Sequence, residues 1–351
     1  MKMSFRWYGP DDPVTLANIR QIPAMTGIVT ALYDVPVGEV WPLDKLMARK
    51  AQIEAHGLEF AVVESIPVPE AVKLGLPDRD RLISNYCRSI SHLGAAGVQV
   101  LCYNFMPVFD WTRTNLAHVN ADGSTALTFR QDDLDGIDLS RGTAGLPGWA
   151  DAYSAEQLGT LRASYKEVDA ERLLENFAYF LRAVVPVAEE AGVFMALHPD
   201  DPPWPIFGLP RIVGSAEQIR RVLALVDSRH HGLTFCTGSL GASADNDLVA
   251  MAREFGPRVN FTHARNVLIT GERDFMEVPH PSRCGSVDMV GVLDALLDAG
   301  FDGPIRPDHG RMIWGEQGRP GYGLYDRALG ATYLVGVFDA LKRSNTRRDT
   351  A

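Results

Sequence analysis

Short apolar runs alternate along this chain with longer stretches in which apolar positions recur every three or four residues. The short runs are Ser4 to Tyr8, Gly27 to Leu32, Phe60 to Ser65, Val98 to Asn104, Val193 to His198, Gly232 to Thr237, Val259 to His263 and Pro304 to Asp308. A brief continuous aliphatic run suits a strand covered on both faces, since neither face meets water. The longer stretches carry a helical period: Leu43 to His56, Arg79 to Ala96, Asp169 to Ala191, Ser215 to Asp227, Asn246 to Phe255, Val287 to Ala299 and Tyr325 to Lys342. Between the first two strands, Ile19 to Gly27 reads only as a turn. Four helices give way to the next strand at a glycine, in AHGLEF, AAGVQV, EAGVFM and DAGFDG, as expected where a left-handed residue ends a helix. Eight strand–helix units with right-handed crossovers predict an α/β fold closed into a (β/α)8 TIM barrel.

Two stretches exceed what a bare barrel needs. The segment from Met106 to Val168, inserted after the fourth strand, is far longer than a usual loop and is expected to cover the barrel mouth. It contains one short helical pattern, near Ala155 to Ala163. Near the C-terminus, GRMIWGEQGRPGYG, from Gly310 to Gly323, has the composition of a lid. Residues 1–343, with the insertion 106–168, are read as one barrel domain, and 344–351 as a flexible tail.

With 351 residues, 46% of them hydrophobic, the chain can bury a large core. A net charge of −10 argues against nucleic acid, because phosphate binding rests on clustered Lys and Arg. No apolar stretch of membrane-spanning length is free of charge, and MKMSFRWYGP lacks a signal-peptide core. Cys87, Cys102, Cys236 and Cys284 form no CxxC pair, so reduced thiols in a cytoplasmic protein are expected.

Candidate chemistry gathers at strand ends. FMALHP ends its run on His198, LTFCTG on Cys236, NFTHA on His263 and GPIRPDHG on Asp308. Any one of these alone is more often a packing or capping residue. In a β/α barrel, however, the carboxyl ends of all strands face one point, and two imidazoles, a thiol and a carboxylate buried there together need a cation. That mixture suits a first-row ion better than Mg or Ca, which prefer oxygen alone. Other strand-end side chains are aimed at a polyhydroxylated anion: Arg6, Tyr8, Glu64, Asn104, Trp111, Arg113, Asp200, Asp201 and Arg311, with His309 directly after Asp308. His230 and His231 precede a strand and are read as surface residues on the opposite rim.

The openings RWYGP and TGIVTALYDVPVGEVW, then VVESIPV, CYNFMPVFDWTRT, HPDDPPWPIFGLPRIV, FCTGSLGASADNDL, FGPRVNFTH, GSVDM, RPDHGR and PGYG, closely resemble the mannonate dehydratases of the xylose-isomerase-like barrel superfamily. The resemblance covers nearly the whole chain. It implies dehydration of D-mannonate to 2-dehydro-3-deoxy-D-gluconate in hexuronate catabolism, with Mn(II) or Fe(II) ahead of Zn(II). By resemblance the ligands are again His198, Cys236, His263 and Asp308, while His309 and Tyr322 match the acid/base pair, with either one as the base. Tyr325 competes with Tyr322 but opens an amphipathic helix. Arg6, Arg113 and Arg311 are candidates for the substrate carboxylate or distal hydroxyls. A homo-oligomer, dimer or higher, is expected.

Three other functions compete with this one. A metal-dependent sugar isomerase or epimerase could use the same barrel, but such sites are built mainly from Glu, Asp and His, which a Cys ligand and several arginines do not fit. A nuclease for abasic DNA needs a basic groove. A sugar-acid binding protein with a structural ion would show a closed shell of four protein ligands.

Overall fold

The computed structural model describes residues 1–138 and 154–348. Among them, twelve strands follow one another: β1 (Lys2–Arg6), β2 (Gly27–Thr30), β3 (Glu59–Glu64), β4 (Val100–Tyr103), β5 (Asn115–Val119), β6 (Thr125–Phe129), β7 (Phe194–Leu197), β8 (His231–Cys236), β9 (Val259–His263), β10 (Asn266–Gly271), β11 (Asp274–Val278) and β12 (Pro304–Arg306). The eight expected runs are β1 to β4, β7 to β9 and β12. They pair in parallel and close in the order β1-β12-β9-β8-β7-β4-β3-β2, so the chain is a TIM barrel.

Local chemistry sets the element ends. Thr15 and Ser154 form capping boxes, and Asp169, Ser215, Asp247 and Asp288 accept backbone amides in the first turns of their helices. The glycines expected to stop helices, Gly57, Gly97, Gly192 and Gly300, all have positive φ, where a Cβ would be strained. The helix Leu16–Arg20 was not expected and leads into the turn expected over Ile19 to Gly27, sharing Ile19 and Arg20 with it. At the other end, the helix Tyr325–Arg348 runs through the start of the expected tail, and 349–351 lie outside the described residues.

The main core fills the layer between the strands and the surrounding helices. A second buried cluster joins Val29, Ala61, Val62, Val100, Cys102, Ala196 and Phe261. Side chains two apart on a strand share a face, so Val62 lies under Glu64 and Phe261 under His263 inside the barrel. This floor is apolar and made of small or flat groups, which leaves the polar groups to gather one layer above it.

The mouth carries a second sheet that the periodicity did not announce. The hairpin β5–β6, from the insertion, pairs through β6 with β11 of the hairpin β10–β11, giving the antiparallel order β10-β11-β6-β5. The expected cover is therefore contributed half by the insertion and half by the connection after β9. Residues 139–153 of the insertion lie outside the described residues. The lid-like loop is tied to this sheet, since Thr125 and Met312 exchange backbone hydrogen bonds of 3.0 and 2.8 Å. His231 corrects the reading of it as a surface residue: it is the first residue of β8, fully buried, with Nε2 3.0 Å from Val222 O. Its neighbour His230 is half-buried, stacked on Phe194.

Candidate active site

Strand register assembles the donors. Cys236 on β8 and Arg306 on β12 both pair with His263 on β9, and His198 follows Leu197, the last residue of β7. Donor atoms of His198, Cys236 and His263 lie within 4.8 Å of one another. Asp308 joins them two residues beyond β12, its Oδ2 3.7 Å from Cys236 Sγ and 3.8 Å from His263 Nδ1. Asp308 takes a left-handed φ of 60°, a conformation that Asp tolerates better than most residues. All four ligand candidates thus converge.

The electrostatics fit a cation. Burial alone pushes the Cys236 thiol up, but the Arg265 guanidinium and His198 hold it well below the usual thiol range. Ser239 adds its amide and hydroxyl, 3.4 and 3.0 Å from Sγ, at the start of a short helix. Burial lowers His198, yet the adjacent Cys236 raises it to about 9. His198 Nδ1 meets Pro199 O at 2.7 Å, so Nε2 is left facing His263 Nδ1 at 3.2 Å. A thiolate, a carboxylate and two facing imidazole nitrogens leave an excess of lone pairs, the donor set of a divalent first-row ion. A second trio, Glu64, Cys102 and His263, is equally close. Glu64, however, already accepts two bonds from Arg306, of 3.1 and 2.8 Å, and pairs with Arg6 at 3.1 Å. Burial also pushes the Cys102 thiol well up, so this trio offers a cation little charge.

Beside the cage stands a hydrogen-bonded His–Tyr pair. His309 Nε2 lies 2.8 Å from the Tyr322 hydroxyl, and Nδ1 lies 2.8 Å from Glu277 Oε1. The Trp111 ring packs 4.9 Å from His309, and Tyr8 meets Tyr322 edge-on at 4.9 Å. Burial, reinforced by Tyr8, holds the Tyr322 phenol well above its ordinary value, so Tyr322 is a neutral hydroxyl.

Both groups open on a cavity of about 240 Å³ at the barrel mouth. Of the residues predicted to bind substrate, Arg6, Tyr8, Asn104 and Trp111 line it, together with His198, Tyr322 and Glu64. Arg113, Asp200 and Arg311 do not. Arg113 is fully buried between Asp201 and Glu277, Asp200 faces the buried Arg211 at 3.7 Å, and Arg311 is held by Asp326 and Asp122.

Sequence reading missed four groups. Arg265 and Arg306 grip the two oxygens of Asp308 at 2.6 Å each, and Glu277 collects Arg113, Arg265 and His309. Arg319, from the lid-like loop, lines the cavity over the Tyr8 ring. Arg265 and Arg306 stand two residues from His263 and Asp308, a spacing that places them on the ligands' side of the chain. Glu277 gave no such signal, because it lies on a strand outside the barrel.

A model of the D-mannonate dehydratase (UxuA) family matches residues 1–348. The mannonate dehydratase of Streptococcus uberis is 53% identical over 346 residues, covering 98% of this chain and 99% of that protein. The crystal structure of mannonate dehydratase from Streptococcus suis serotype 2 superposes with a TM-score of 0.92 at 51% identity, over 98% of this chain and 96% of that one. A xylose isomerase-like TIM barrel protein from Mycobacterium smegmatis, in complex with magnesium, is 14% identical with a TM-score of 0.55, over 93% and 87% of the two chains, and shares the fold alone. The match runs almost end to end, and the chain belongs to the D-mannonate dehydratase family.

Proposed function

We propose that this chain removes water from D-mannonate to give 2-dehydro-3-deoxy-D-gluconate in hexuronate catabolism, with Mn(II) or Fe(II) held by His198, Cys236, His263 and Asp308. The reaction has two difficulties. The C2 hydrogen beside the carboxylate is weakly acidic, and hydroxide is a poor leaving group from C3. When bound, the divalent ion supplies positive charge against the negative charge that builds as C2 loses its proton. The remaining work falls to the protein. Arg6, whose Nε has no hydrogen-bond partner among the described residues, holds the sugar acid together with Tyr8, Asn104 and Trp111. His309 and Tyr322 form the acid/base pair. The proton taken from C2 stays within the pair and departs with the C3 hydroxyl as water, so the pair ends as it began. The enol left behind releases the proton of its C2 hydroxyl, takes one up at C3 and becomes the 2-keto acid.

The observation that carries this reading is the junction of cage and pair: Asp308 belongs to one, and His309, the next residue, belongs to the other. The test is to strip the protein of metal, reload it with Mn, Fe or Zn singly, and assay D-mannonate beside D-xylose and D-fructose. A 2-keto-3-deoxy acid from D-mannonate with Mn or Fe is the expected product. Sugar interconversion with no deoxy product would replace this reading with an isomerase or epimerase.

The same reading takes residues 1–343 as one catalytic domain in a cytoplasmic homo-oligomer acting on a small sugar acid. No helix among the described residues is long and apolar enough to cross a membrane. The acidic net charge supports the exclusion of nucleic acid. Light scattering on the purified protein tests the oligomer.

A further inference from the structure

Glu277 lies on β11, in the covering sheet rather than the barrel, and is buried. Its Oε1 accepts from Arg113 Nε and Nη2 at 3.0 and 2.8 Å, from Arg265 Nη1 at 2.7 Å, and meets His309 Nδ1 at 2.8 Å. With two guanidinium groups on it, Glu277 is a carboxylate, which offers lone pairs and no proton. The hydrogen in its contact with His309 therefore belongs to Nδ1. In the neutral imidazole that leaves the lone pair at Nε2, where the Tyr322 hydroxyl, 2.8 Å away, is the donor. Of these groups only Tyr322 lines the cavity.

Resting on the acid/base pair proposed above, we infer that Glu277 is the positioning residue of a three-membered relay, Tyr322 to His309 to Glu277, in which Tyr322 meets the substrate and His309 stores the proton. The Tyr322 oxygen bonds the C2 proton while its own hydroxyl proton passes to His309 Nε2, and the C2 electron pair stays with the substrate. The imidazolium so formed is balanced by Glu277. On return, His309 Nε2 gives its proton back to the Tyr322 oxygen, which releases one to the C3 hydroxyl as the C3–O bond breaks and water leaves. A neutral tyrosine can thus serve as the base without first becoming a phenolate. The same arrangement, with serine in place of tyrosine, operates in hydrolases, where the buried carboxylate holds the imidazole in the required tautomer.

The test is Glu277→Gln in the full-length metal-loaded protein, assayed beside the wild type with D-mannonate and with D-mannonate deuterated at C2. An amide in that position turns its oxygen to the two arginines, so Nδ1 keeps its acceptor, and the negative charge that balances the imidazolium is lost. Turnover is expected to fall by about 10²-fold to 10⁴-fold, with bound Mn and KM within about twofold of wild type and a larger deuterium effect on kcat. A merely structural carboxylate would lower metal content or stability and leave the isotope effect unchanged, and that result overturns the proposal, as does turnover within about threefold of wild type. Glu277→Asp covers the case in which the amide variant does not fold, since it keeps the charge for both arginines but draws back from Nδ1. It should fold, keep its metal and lose about 10-fold to 100-fold in kcat, and wild-type kcat in folded Glu277→Asp overturns the assignment. An inactive wild type would instead remove the dehydratase reading itself.

Discussion

His198 Nε2 and His263 Nδ1 face each other at 3.2 Å across the barrel mouth. Two imidazole lone pairs this close repel unless a proton or a cation lies between them. In the protein without an ion, His198 carries the proton beside the Cys236 thiolate. Removing one donor should therefore empty the cage rather than loosen it slightly. His198→Ala and Asp308→Asn are each expected to weaken Mn(II) binding by at least about 100-fold, the upper end of what losing an outer-shell partner costs, and to abolish turnover. Cys236→Ser should weaken binding more for soft ions than for Mn(II). Calorimetric titration with each metal measures both, and equal losses across metals would place the thiol outside the cage.

His309→Asn separates the cage from the pair. Asparagine reaches neither Glu277 and Tyr322 together nor holds a proton at physiological pH. Metal content should stay at the wild-type level, and kcat should fall by about 10²-fold to 10⁴-fold, the usual worth of a positioned acid or base. Wild-type turnover in a metal-replete variant would remove His309 from the chemistry.

The arginines divide into partnered and available ones. Arg311 is tied to Asp326 and Asp122 outside the cavity, whereas Arg319 lies over Tyr8 at its mouth. Arg319→Ala should lower kcat/KM for D-mannonate by about tenfold, the loss of one charge-assisted hydrogen bond. Arg311→Ala should leave KM within about twofold of wild type, with a small loss of stability. The reverse ranking in steady-state assays would return Arg311 to the substrate.

How far this site could be read from the chain follows from what each signal depends on. The ligand candidates stand at the ends of strands buried on both faces, and such strands announce themselves as aliphatic runs, so His198, Cys236, His263 and Asp308 could be brought to one rim without a structure. The covering sheet gave no comparable pattern, because β5 is mostly exposed and β10 and β11 follow β9 so closely that they read as one connection. Glu277 was hidden with that sheet. Arg113 was misjudged for a different reason. A strand-end guanidinium looks the same in sequence whether it faces substrate or two buried carboxylates, and only the pairing with Asp201 and Glu277, 88 and 164 residues further on, decides between them.

His231 should set part of the stability at mildly acidic pH. Burial holds its folded value down to about 4, against an ordinary 6.5. Between those limits the unfolded chain binds a proton that the folded chain refuses, so stability is complete above pH 6.5 and declines as pH falls toward 4. A shift of this size corresponds to about 3 kcal/mol over the whole window. His231→Gln keeps a donor for Val222 O and removes the titration. Urea unfolding at pH 7 and pH 5 should show a smaller drop for the variant than for wild type, and identical drops would contradict the assignment.

Gly238 tests whether the arginine network holds the site together. A Cβ built there would sit 2.5 Å from Arg265 Cγ and Nε and 2.6 Å from Cζ, closer than any side chain can remain. Arg265 bridges Asp308, Asp201 and Glu277 at 2.6, 2.7 and 2.7 Å, so Gly238→Ala must push one guanidinium away from three buried carboxylates at once. Breaking a buried ion pair from one side costs about 3–5 kcal/mol, and the thiolate of Cys236 loses its principal positive neighbour in the same movement. The variant should therefore unfold at lower urea concentration and bind metal more weakly, although no ligand has been altered. Retention of both wild-type stability and wild-type Mn(II) affinity would mean that the short helix Thr237–Leu240 can shift as a body and that Arg265 is not the keystone of the cage.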